Sequence, residues 1–413
     1  MMLADHPILV VVAVAVVAPL LAEIPIGLRV PVVVLEVVLG ILIGPHVLGL
    51  VQYGPGGVLG APFGGFLSVM FLIGVAATLF MAGMEIDFAQ IRGRPLSLAL
   101  RGWIASLGLA LLVVALLHVI PGVHAPMMVV IALSTTGLGV LLPILRDGGQ
   151  LETPSGRQLL AAGTIGEVGP IVAVALALSN RYSTLQEFGF LLALLALVGL
   201  AAAVGMRARP PRLLALLSRM MQTSTQLPVR LALLVLAGFI VVSAEFGFET
   251  ILGAFVAGMV VGLATRGEEG KPFRAKIDAV CFGWFTPFFF VGTGIQFDLG
   301  ALTRDATTML LVPAFLGLFL MVRGVPVFLY RNDIPKPERL PFACSASIAS
   351  LGLVVVITQI GLQTKNMSPE IAQALVVAAL LSLLLYPTLA GALLSRTGDP
   401  VPDPRRALNR RRR

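Results

Sequence analysis

Residues 159 to 178 read LLAAGTIGEVGPIVAVALAL, an apolar run broken by a single carboxylate, Glu167. A membrane helix needs roughly 20 apolar residues, so the run predicts a span with an ionisable group near its middle. Such a group costs about 2.5 to 3.5 kcal/mol on insertion scales, and it normally faces a cavity and binds something. Gly163, Gly166 and Gly169 give the same helix a small-residue face that admits close neighbours and water. Pro170 has no N–H to give the carbonyl four residues back, which predicts a free Gly166 oxygen beside the Glu167 side chain. A carboxylate and a bare carbonyl are hard oxygen ligands suited to a proton or a small cation. The plainer alternative is a permanently protonated acid that ties two helices together.

The rest of the chain repeats the apolar theme. Of 413 residues, 57% are hydrophobic and 12% charged, and the mean hydropathy is +0.97, far above a soluble domain of this length. About thirteen segments read as spans, which makes this an all-α membrane protein. Numbered in order, they run approximately His6 to Leu21, Val30 to Leu48, Leu67 to Met84, Leu96 to Ile120, Met127 to Leu145, Leu159 to Leu178, Phe188 to Gly205, Val229 to Phe246, Thr250 to Leu263, Val280 to Ile295, Met309 to Leu329, Phe342 to Ile360 and Ile371 to Leu394. The first lacks a basic n-region and a cleavage site, so it reads as a retained helix. A transmembrane domain over about 1–395 and a basic tail over 396–413 account for the chain.

Basic residues cluster on alternate loops, including Arg92, Arg94, Arg157, Arg209, Lys271, Arg274 and Lys336, whereas the opposite loops hold only Arg181, Arg304 and Lys365. The positive-inside rule then puts the N-terminus outside and the C-terminus in the cytoplasm of a multi-pass protein of the cell membrane. The net charge of +8 is therefore mainly a topology signal, and nucleic-acid binding is not implied. The tail RRALNRRRR reads either as a solvated stop-transfer tail or as a contact for anionic lipid of the bilayer. PPRLLALLSRMMQTSTQ, after the seventh segment, reads as an amphipathic helix on the membrane surface. Cys281 and Cys344 lie far apart in apolar segments and read as small core residues. The histidines, His6, His46, His118 and His124, fall at the outer face with no metal-ligand spacing. No GxGxxG marks a nucleotide-binding domain, no cofactor is implied, and no nucleophile–base pair or metal cluster points to an enzyme.

Ser134 with Leu138-Gly139-Val140 in the fifth segment matches Ser347 with Leu351-Gly352-Leu353 in the twelfth. Seven segments separate the copies, an odd number, so the repeat is inverted. Repeat one would cover about 6–178, a linker helix about 188–205 and repeat two about 229–394. Inverted repeats with interrupted helices at matching places point to a secondary transporter. Among ionisable residues inside the segments, Glu167 and Arg323 are deep, while Arg101 lies about one turn from the cytoplasmic end and snorkels. Glu36 and Glu85 are candidates for a cytoplasmic funnel, the alternative for Glu36 being a protonated or locally bonded carboxyl. Three roles are open to Arg323: pairing with Glu167, compensating a helix end at a break, or snorkelling. The GxxxG pairs Gly40–Gly44 and Gly258–Gly262 mark close helix packing, with a subunit contact as the second option.

PVVVLEVVLGILIGPHVLGL, LFMAGMEIDFAQIR, ALSTTGLGVLLPILRDGG with TPSGRQLL, and TILGAFVAGMVVG resemble, in that order, signatures of the monovalent cation:proton antiporters of the Kef-type and sodium/hydrogen exchanger branch. The resemblance implies thirteen helices, a core from segments four to six and eleven to thirteen (about 96–178 and 309–394), and a dimer domain from the others. It implies movement of the core against the dimer domain, and a homodimer. By resemblance the broken fifth helix falls on Ser134, Thr135 and Thr136, the basic residue of the eleventh on Arg323, and the break of the twelfth on Ser347, Ser350 and Gly352. Where relatives have Asp-Asp, Asn-Asp or Gln-Asp, this chain has Gly166-Glu167. The Gly-Glu-Phe of Kef-type members and their nucleotide-binding domain are absent from it.

The expected activity is exchange of Na+ or K+ for H+ by alternating access, with Glu167, Gly166, Ser134, Thr135 and Thr136 at the ion site and no metal beyond the monovalent cation. Relatives that move two protons have a second titratable carboxylate or a lysine. Here Gly166 and Arg323 stand there, which predicts electroneutral exchange. Two alternatives are sodium-coupled uptake of an organic anion of the bile-acid type, with Arg323 as counter-charge, and a non-transporting scaffold or sensor that tolerates loss of Glu167.

Overall fold

The computed structural model describes residues 6–23, 30–51, 64–86, 91–118, 127–147, 150–151, 153–178, 226–245, 250–265, 270–303 and 306–396. Regular structure among them is helical throughout. The seventh segment, the amphipathic connector after it and nearly all of the basic tail lie outside the described residues. Each of the other twelve segments holds a helix, or a pair of half-helices. Eight described helices are long and apolar enough to cross a membrane, nine if the bent pair in segment twelve is one span, and Pro7–Ala22, Val32–Ile43 and the helix over segment nine are shorter apolar helices.

Two segments are broken where the repeat matched Ser134 with Leu138-Gly139 and Ser347 with Leu351-Gly352. Segment five consists of Met127–Leu133 and Leu138–Asp147, with Ser134 to Gly137 between them outside the helix. Segment twelve consists of Arg339–Ala346 and Leu351–Gln363, inclined at 44° to each other. Both helices that follow a break, Pro154–Leu178 and Pro369–Arg396, contain a proline, Pro170 and Pro387. Segment eleven narrows from the α-helix Ala306–Gly324 into a 3-10 turn, Val325–Tyr330, at Pro326, which has no N–H for an α-helical bond. Segment ten contains a π-helical turn, Cys281–Phe285, just before Pro287.

The chain divides into two compact units, Met1–Ile86 with Ala175–Phe297, and Asp87–Val174 with Asp298–Arg413. In the first unit, segment nine packs on segments three and eight, and segment ten on segments two and three. Glycine makes these approaches. A Cβ on Gly40 would lie 3.0 Å from Gly294 Cα, and one on Gly258 would lie 3.0 Å from Phe80 Cα. Both GxxxG faces are therefore filled by helices of the same chain, which leaves no room on those glycines for a subunit contact. Phe80, Phe255 and Phe289 are fully buried between these helices, with the Phe71 and Phe289 rings 5.6 Å apart.

In the second unit, the last helix packs on segment eleven and on both halves of segment twelve, and Leu351–Gln363 packs on Met127–Leu133. Arg94 reaches both oxygens of Asp333, at 2.6 and 3.0 Å, and Ser155 donates to Glu338. These contacts pin the starts of segments four and six to the loop before segment twelve. Cys281 and Cys344 are buried free thiols.

Candidate functional site

A break in a buried helix strands backbone groups, and each needs a partner. Where the first half of segment five ends, Ser134 and Thr135 turn their hydroxyls back onto the carbonyls of Ile131 and Ala132, each at 2.8 Å. At the end of Arg339–Ala346, Ser347 does the same to Ala343 at 2.7 Å. Further groups at the breaks are satisfied by other elements. The Gly137 N–H donates to the Ile348 carbonyl at 2.8 Å, and the Thr136 hydroxyl to that of Ala346, also at 2.8 Å. The Ala349 N–H donates to Ser382 Oγ at 3.0 Å.

The Gly166 carbonyl was expected to be free, and it is not. Pro170 does remove its helical donor, but the N–H of Thr136, orphaned by the break, donates to it at 2.9 Å. Two buried groups left without helical partners satisfy each other, because leaving either unpaired would cost about 1 to 3 kcal/mol.

Glu167 is 4% exposed, and its two oxygens are held separately. The Leu138 N–H donates to Oε2 at 3.2 Å, and the Ser350 hydroxyl donates to Oε1 at 2.8 Å. Leu138 opens the second half of segment five, and Ser350 precedes the second half of segment twelve. Negative charge on Glu167 thus faces the N-terminal ends of two half-helices, where backbone dipoles leave partial positive charge.

Arg323 is 6% exposed and turns elsewhere. Its Nε donates to Thr136 Oγ1 at 2.7 Å, Nη1 to Ser106 Oγ at 3.2 Å and Nη2 to the Ala162 carbonyl at 3.0 Å. No ion pair joins it to Glu167 among the described residues. Since Thr136 passes its own proton to the Ala346 carbonyl, the guanidinium acts through that hydroxyl on the C-terminal end of a half-helix. Gly166 fits this arrangement, because a Cβ there would lie 2.6 Å from Thr136 Oγ1 and 2.7 Å from Arg323 Nη2.

The second unit thus brings together Glu167, Gly166, Thr136, Arg323 and Ser350, with Ser134, Thr135 and Ser347 bonded to their own backbones and Gly352 in the first turn after the break. Glu36, 4% exposed in Val32–Ile43, and the half-buried Glu85 at the end of segment three belong to the first unit. Ser106 and the backbone groups of Leu138, Ala162 and Ile348 were not anticipated. Ser106 had a faint signal as a lone hydroxyl in an apolar face, and Ser350 a better one as a serine just before an apolar helix.

The profile of the family described as sodium/hydrogen exchanger, transmembrane, matches residues 12–396. The chain belongs to the sodium/hydrogen exchanger family. Members are cation/proton antiporters, which are transporters and not enzymes. YjbQ of Bacillus subtilis, provisionally named a Na+/H+ antiporter, is 25% identical over 408 residues, 95% of this chain and 64% of that one. Cation/H+ antiporter 18 of Arabidopsis thaliana is 26% identical over 395 residues, 92% of this chain and 48% of the relative. The chain spans about half to two thirds of the length of these curated relatives. The structure of the sodium proton antiporter MjNhaP1 from Methanocaldococcus jannaschii at pH 8 superposes with a TM-score of 0.60 over 96% of this chain and 99% of the other, at 18% identity. The chain shares that fold, and its apolar helices and family make it a multi-pass membrane protein.

Proposed function

We propose that the protein exchanges a monovalent cation, Na+ or K+, for protons across the cell membrane by alternating access, with Glu167 binding one or the other. One observation carries this reading: the carboxylate buried at the crossing is held, among the described residues, by two donors, Leu138 N–H and Ser350 O–H. A cation entering there gains a negative ligand, and a proton arriving there displaces it. Competition at one carboxylate is enough to couple the two fluxes. Family membership and relatives named for Na+/H+ and cation/H+ exchange favour this reading over organic-anion uptake or a scaffold. Arg323 serves as the fixed charge that compensates the broken helices, and the unit of segments four to six and eleven to thirteen is the part that carries the ion.

The N-terminus lies outside and the C-terminus in the cytoplasm, on the distribution of basic loops. The protein works as a homodimer through faces other than its GxxxG glycines, with the lipid bilayer around it. The direct test uses purified protein in liposomes with an internal pH dye. Wild type moves protons on addition of Na+ or K+, and Glu167→Gln, whose amide neither takes up nor releases a proton, does not. Glu167→Asp retains part of the activity. Cation-driven proton movement in the Gln variant would remove Glu167 from the coupling step.

A further inference from the structure

The register of the repeat sets Gly137 against Ser350, each the last residue before a half-helix that begins Leu-Gly. The crossing has room for one side chain, not two. A Cβ on Gly137 would lie 2.8 Å from the Ala349 carbonyl oxygen and 3.4 Å from Ser350 Cα. The side chain at the crossing is therefore that of Ser350, and it is 7% exposed. A serine at a helix N-cap ordinarily turns its oxygen back to accept an N–H of its own first turn. Ser350 has an extended backbone, φ −77° and ψ 96°, and makes no such cap. Its hydroxyl proton goes to Glu167 Oε1 at 2.8 Å. A hydroxyl has one proton and two acceptor lone pairs. The contacts of Ser350 Oγ described above use only the proton.

We propose that Ser350 is a ligand of the transported cation, its hydroxyl oxygen and Glu167 Oε1 forming the pair of hard oxygens onto which a dehydrated monovalent cation docks. This rests on the reading of Glu167 as the ion-binding carboxylate. The same hydroxyl keeps its proton on the carboxylate and offers lone pairs to the cation, so it contributes to binding without adding charge. Oxygen suits a hard cation, whereas a thiol in its place does not.

The test measures KM and kcat for Na+ and for K+ in liposomes, alongside the dependence of melting temperature on cation concentration in detergent. A cation that binds the folded protein raises its melting temperature. Ser350→Ala is expected to raise KM about tenfold, in line with loss of one contact to a charged group, and to do so more than it lowers kcat. Its cation-dependent melting shift moves to about tenfold higher concentration. Ser350→Thr, which keeps the hydroxyl, restores the wild-type KM, and Ser350→Cys behaves like Ser350→Ala. If Ser350→Ala does not fold, Ser350→Cys is judged by the same two measurements. A variant that loses kcat or folded yield with KM and the melting shift unchanged overturns the proposal and leaves exchange at Glu167 standing. Wild-type protein that shows neither cation-driven proton movement nor a melting shift overturns both.

Discussion

Thr136 has the most demanding position of the single residues at the crossing. Its hydroxyl accepts from the Arg323 guanidinium and donates to Ala346, while its N–H holds the Gly166 carbonyl. Thr136→Val keeps shape and volume but leaves a buried charged N–H and a helix-end carbonyl without partners. The expected loss is about 2 to 3 kcal/mol of stability, read as a lower melting temperature in detergent, with Thr136→Ser close to wild type. An unchanged melting temperature in the Val variant would mean that water or a moved side chain takes over both bonds. The depth of Glu167 is legible in the sequence, because a charge in an apolar run has nowhere else to go. Its donors are not, since Ser350 is 183 positions away and nothing local in the chain records the pairing. The Gly166 carbonyl shows the same limit from the other side. Proline chemistry correctly frees it from the helix, but only the fold supplies the N–H that claims it.

At the scale of elements, the two broken helices are held together by their own backbones. Gly137 donates to Ile348, and this approach depends on the absence of a side chain at 137. Gly137→Ala pushes a Cβ against the Ala349 carbonyl oxygen, 2.8 Å away, so one of the two half-helices must shift. Overpacking of this kind costs about 1 to 3 kcal/mol, and because the shift falls on the donors of Glu167, transport should fall further than stability does. Comparing initial rates per folded protein with melting temperatures checks this, and equal losses in both would mean that the crossing adapts without disturbing the carboxylate. Helices and their breaks are readable because apolar length and a serine four residues before Leu-Gly are local properties. The π-helical turn at Cys281–Phe285 and the 3-10 end of segment eleven are not, because packing against neighbours decides how a proline-bearing stretch is wound. The GxxxG faces announce close packing but not the partner, which proves to be a helix of the same chain.

For the whole molecule, the count of titratable groups at the crossing fixes what membrane potential can do. Gly166 offers no side chain, and Arg323, an arginine bonded to three oxygens, stays charged. On the proposed exchange, Glu167 is the one group left among the described residues of the crossing to trade a proton for a cation, and transport is expected to carry no net charge. In liposomes an imposed potassium-diffusion potential should leave Na+-dependent proton movement unchanged, whereas a potential that drove it unaided would reveal a second proton carrier. The arrangement of donors also has a consequence for synthesis. Leu138 lies 29 residues before Glu167 and Ser350 lies 183 residues after it. At about 5 to 20 residues per second, the ribosome needs on the order of ten to forty seconds after making Glu167 before Ser350 exists. During that interval the first repeat has only one of the two donors of its carboxylate, and its broken helix lacks its partner. The first repeat should therefore be short-lived if released alone, and a chain truncated before residue 350 should be recognised by membrane quality control.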